Sequence, residues 1–69
     1  MRIISQDGRV CTTHEVEFCG KIVGCKPDNG GRKKEILGIY ENRERAAQVQ
    51  ADIYCANQDG KTEFVMPKD

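Results

Sequence analysis

The sequence predicts a small α+β domain: a meander of short antiparallel strands, one helix packed on one face of the sheet, and a C-terminal strand. Three observations predict it. Residues 43–57 carry Ala46, Val49, Ile53 and Ala56 at a +3, +4, +3 spacing, the stripe of an amphipathic helix. The run Glu35–Tyr40 just before it is apolar at Ile36, Leu37, Ile39 and Tyr40, which marks an inner strand. The remaining chain is short, β-like and broken by Gly-containing turns.

Taken in order, Arg2–Ser5 reads as a strand and Asp7-Gly8 as a two-residue hairpin turn, because both turn positions call for positive φ. Val10–Thr12 returns, and a turn of that length sets Ile4 opposite Cys11 and Ile3 opposite Thr12. Glu15–Cys19 alternates, with Val16 and Phe18 on one side and Glu15, Glu17 and Cys19 on the other. Gly20-Lys21 turns the chain into Ile22–Lys26, which ends at Pro27 because proline has no ladder donor. Residues 27–31, Pro-Asp-Asn-Gly-Gly, predict an exposed loop. Gly38, inside the central strand, marks either a bulge or a place where the helix or another backbone comes close, and the second is preferred. Asn42 caps the helix, Glu44 suits the positive end of its dipole, and Gly60 ends it. Thr62–Met66 is the last strand, closed by Pro67.

Sixty-nine residues form a single domain, 1–69, with a small core. A chain of this length buries only about 60% of the surface that its unfolded form exposes. Eleven basic and eleven acidic residues cancel, so no global field draws the chain to nucleic acid or to a membrane. The opening residues contain no apolar run long enough for a leader or a membrane span, which gives a cytoplasmic expectation and leaves the four cysteines as thiols. In an oxidising compartment, Cys11, Cys19, Cys25 and Cys55 would allow three pairings into two bridges.

Several strands place apolar residues side by side: Ile3 with Ile4, Ile22 with Val23, Ile36 with Leu37, and Phe64 with Val65. Neighbours on a strand face opposite ways, and one helix covers one face. One member of each doublet is therefore surplus, and the surplus suits either scattered surface or a patch that docks a partner or a second copy.

Two clusters are candidates for chemistry. Cys11, His14, Cys19 and Cys25 form a C-x2-H-x4-C-x5-C run, whose thiolate and imidazole ligands would suit zinc; no other cofactor is suggested. The regular alternation of a strand would scatter these ligands. Arg32, Lys33, Lys34, Arg43 and Arg45 would contact phosphates if they shared one end of the molecule, although Glu35, Glu41 and Glu44 lie among them. A single histidine and no nucleophile elbow give no catalytic triad, so no enzyme and no small-molecule substrate are expected.

Residues 1–8 (MRIISQDG), Leu37-Gly38-Ile39-Tyr40 with Glu44 and Ala46, and Phe64-Val65-Met66-Pro67 resemble a group of small uncharacterised proteins encoded in prophages and other mobile regions of Gram-positive bacteria. Leu37-Gly38-Ile39-Tyr40 followed by Glu44-Arg45-Ala46-Ala47 is also similar to the strand-to-helix passage of AP2-type DNA-binding domains. The shared part is architectural, so this second resemblance implies a sheet laid on one helix. The expected function is a non-enzymatic accessory protein of a mobile element, acting through protein–protein contacts and in one form a homodimer. The alternative is a nucleic-acid-binding module built on the sheet and the basic patch.

Overall fold

The computed structural model describes residues 1–27 and 34–69, without the side chain of Pro27. Five strands and one helix follow in the order β1 (Arg2–Ile4), β2 (Val10–Cys19), β3 (Ile22–Pro27), β4 (Glu35–Ile39), α1 (Arg43–Gln58) and β5 (Glu63–Val65). They form one sheet of order β4-β3-β2-β1-β5. The first four strands are an antiparallel meander, as predicted, but the runs Val10–Thr12 and Glu15–Cys19 are one strand, β2. The strand β4, expected as an inner strand, is the edge of the sheet because the last strand joins β1 instead. The last strand runs parallel to β1, so the sheet is mixed rather than wholly antiparallel. The predicted loop at residues 27–31 lies, beyond Pro27, outside the described residues.

The first hairpin differs from its expected register. Ile3 pairs with Cys11 and Ile4 with Val10, one residue away from the prediction. The cause is the turn. The Gly8 amide donates to the Ser5 carbonyl and the Ser5 amide to the Arg9 carbonyl, which leaves a three-residue loop rather than two. Gly8 takes a φ of +87°, the left-handed conformation that ends such a loop at low cost. Asp7 accepts from the Ser5 hydroxyl and fixes the turn from its side chain. A one-residue slip exchanges the two faces of a strand, and this register puts Ile3 and Cys11 together inside.

β2 is the spine of the sheet. Its first half pairs with β1 and its second half with β3, joined by a bulge at Thr13–Glu15. Without the extra residue, the inward series Cys11, Thr13 would continue to Glu15 and Glu17. With it, Val16 and Phe18 turn inward and the glutamates stay wet. The buried Thr13 hydroxyl holds the bulge, accepting the Glu15 amide at 3.1 Å and lying 2.7 Å from the Lys26 carbonyl oxygen.

The sheet coils enough for its first strand to reach its edge. The Gln6 amide donates to the Leu37 carbonyl at 2.9 Å, and the Gln6 side-chain oxygen accepts the Ile39 amide at 2.8 Å. Gln6, two residues past the end of β1, thus bonds to β4, although β2 and β3 lie between those strands in the order. Gly38 is glycine for this reason: a Cβ there would lie 2.9 Å from Gln6 Cδ and 3.0 Å from the Tyr40 hydroxyl. What comes close is a pair of side chains, not the helix or another backbone. The bulge, the other reading of Gly38, is met beside it: Val23 faces Gly38 and Gly24 faces Ile36, which leaves Leu37 as the extra residue of β4. The Pro67 carbonyl then accepts from both Gln6 Nε2 and the Tyr40 hydroxyl at 3.0 Å, which seats the C-terminal segment on the same spot.

The helix lies against β2 and β3 with Ala46, Val49, Ile53 and Ala56 buried, the predicted stripe. Asn42 caps it by accepting the Arg45 amide at 2.9 Å, and Gly60, at φ +79°, ends it. Ile3, Val23, Leu37 and Met66 complete the core under it.

Candidate functional site

The face of the sheet turned away from the helix carries the most distinctive surface. Each apolar doublet splits as strand geometry requires. Ile3, Val23 and Leu37 are buried, while Ile4 and Ile22 are half-buried and Ile36 is 50% exposed. Phe64 packs against the core, and Val65 beside it is 58% exposed.

Register arranges these outward members into rows. Ile4 sits between Val10 on β2 and Val65 on β5, making one β-branched row across three strands. A second group forms on β3 and β4, where Ile22 faces Ile39 with Ile36 further along β4. Arg9 lies between the two groups: it precedes Val10, pairs with Asp7 at 2.9 Å and reaches the Ile36 carbonyl at 3.3 Å. Beside the first row, Arg2 and Glu63 form an ion pair at 3.7 Å. An apolar surface edged by paired charges has the make-up of a contact surface. Val10 and Ile39, each more than half exposed, belong to it but lie in no doublet considered above. The signal that would have found them is their β-branched side chains at strand ends.

Among the described residues, Lys34 lies apart from Arg43 and Arg45. Arg32 and Lys33 lie outside the described residues. Lys34 stands at the start of β4 and pairs with Glu17, whose carboxylate holds its ammonium above the usual lysine range. Arg43 and Arg45 follow the other end of β4, about 20 Å away at the rise of a strand. Arg43 is exposed on the first turn, whereas Arg45 pairs with Asp69, lies 5.8 Å from the Tyr40 ring centre and reaches Gln48. Asp69 is correspondingly held below the ordinary carboxylate range.

The Cys/His set is not assembled either. Cys11 and Cys25 meet in the core, Cys19 is exposed at the end of β2, and His14 is the exposed residue of the bulge. Among the described residues no three His, Cys, Asp or Glu side chains converge on a metal position. The physical reason is the strand alternation and the bulge, which send these residues to different surroundings. Burial, with the Cys11 thiol alongside, pushes the Cys25 thiol up to about 12.

A groove of about 100 Å³ also runs between the helix flank and the bulge, floored by Met1, Ile3, Val16 and Ile53 and rimmed by His14, Gln50, Tyr54 and Asn57. Among the described residues no helix is long and apolar enough to cross a membrane. No protein-family model, curated protein or solved structure matches this chain.

Proposed function

We propose that this chain is a non-enzymatic accessory protein that works by binding protein, foremost a second copy of itself, through the sheet face opposite the helix. The observation that supports this reading is the row Val10–Ile4–Val65 together with Ile36 and Ile39, exposed on one side of a sheet whose other side is filled. A domain of this size gains from covering such a surface, because its own core is small. The cytoplasmic placement and the origin in a mobile element rest on the sequence reading alone.

The nucleic-acid alternative has less support, since two of its basic residues are engaged by Glu17 and Asp69. Sedimentation across a range of concentrations tests the proposal. The expected result is a mass rising from 7.8 kDa toward twice that value, with Val65→Glu and Ile36→Glu holding the protein at the lower mass. A single mass of one chain at every concentration would remove the self-association, and binding to mixed-sequence DNA that weakens steeply with salt would move the assignment to nucleic acid.

A further inference from the structure

The two buried thiols stand apart from the outer face. Cys11 Sγ and Cys25 Sγ lie 3.1 Å apart, closer than two unbonded sulfurs normally rest, although the residues are fourteen positions apart in the chain. They are not partners in the strand ladder: Cys11 is opposite Ile3, and Cys25 is opposite Val16 and Glu35. Their meeting is produced by the coiling of the sheet across the Thr13–Glu15 bulge. It joins the half built on β1 to the half built on β3.

We propose that Cys11 and Cys25 form a reversible intramolecular disulfide, a redox latch across the inside of the coiled sheet. The oxidant is a low-molecular-weight disulfide acting by exchange. Cys11 is the marginally more accessible of the two, 5% exposed against 0% for Cys25, so it reacts first. It loses its proton, and its thiolate attacks one sulfur of the small disulfide and expels the first small thiolate. Cys25 then loses its proton and attacks Cys11 Sγ, expelling the second. Two protein thiols and one disulfide become one protein disulfide and two small thiols, with two electrons passing to the oxidant. Both sulfurs are buried and the Cys25 ionisation is raised, so the exchange is slow and proceeds through local opening. Reduction reverses the same steps.

The bond would close a loop of fourteen residues' separation in a domain with a small core. A loop of that size should raise the melting temperature by on the order of 10 °C. The test uses the whole chain incubated with oxidised glutathione, quenched in acid, alkylated under denaturing conditions and mapped by mass spectrometry without reduction. The expected product is the Cys11–Cys25 cross-link, two hydrogens lighter than the reduced pair, with the exposed Cys19 and Cys55 alkylated or glutathionylated. Its melting temperature should be higher and should return with dithiothreitol. The double variant Cys19→Ser, Cys55→Ser leaves both core thiols in place and should show the same shift. If Cys11 and Cys25 are recovered alkylated after Cys19 and Cys55 have reacted to completion, or if a bridge forms through Cys19 or Cys55 instead, the proposal is overturned. A Cys11–Cys25 cross-link without the rise in melting temperature would overturn the latch.

Discussion

The two faces of the sheet are built from the same doublets and meet different ends. On the helix side, Ile3, Val23 and Leu37 pack under Ala46, Val49 and Ile53. On the far side, Ile4, Ile22 and Ile36 have the same chemistry and lie partly or half in water. Position relative to the single helix, not residue type, decides which isoleucine stabilises the fold and which is left for an outside contact.

The sharpest break of that comparison sets Leu37 against Ile36, adjacent residues of β4. Leu37→Ala should cost about 2–5 kcal/mol in urea unfolding, because it empties a filled site. Ile36→Ala, on the exposed side, should stay within about 0.5 kcal/mol in the monomer. Equal losses at the two positions would show that the far face is already packed. Next in size is Gly38→Ala, whose methyl would meet Gln6 and Tyr40; the expected cost is about 1–3 kcal/mol. Combining it with Gln6→Ala should recover part of that loss, a coupling that a double-mutant cycle measures directly. Asn42→Ala tests the covering element itself and should cost about 1 kcal/mol by removing the acceptor for the Arg45 amide.

The smallest expected effect concerns the C-terminal segment. The Arg45 guanidinium lowers the Asp69 carboxyl below its unfolded value, so the tie is present above the ordinary carboxylate range. It is lost as pH falls through the lowered folded value. Side-chain NMR titration of Asp69 should therefore show a depressed midpoint that moves back up in Arg45→Gln. An unchanged midpoint would mean the pair is absent in solution.

The elements that were legible in the sequence are those set by local pattern. The helix stripe, its Asn42 cap and Gly60 stop, and the strand runs of the meander follow from spacing and turn residues. The edge position of β4 does not, since its apolar run reads as an inner strand. The sequence misled where a single backbone detail carried the geometry. Asp7-Gly8 suggests a two-residue turn, and only the Ser5–Arg9 pairing reveals three. Cys11, Thr13, Val16 and Phe18 contain the bulge as a one-residue break in alternation, but the break reads equally well as the gap between two strands. Of the candidate site, the surplus of apolar faces was readable because strand neighbours must diverge. The rows into which it falls were not, since they depend on a register that only the folded turn fixes. The meeting of Cys11 with Cys25 was beyond reach for a related reason: no ladder position joins them.

Gln6 leaves one further mark on the molecule. Its backbone amide occupies the Leu37 oxygen and its carboxamide oxygen the Ile39 nitrogen, two groups that a sheet margin would otherwise offer to any passing strand. One residue thereby acts as a gatekeeper against runaway stacking. Exchanging it for a residue without that carboxamide would leave the proton on Ile39 nitrogen open to solvent deuterium.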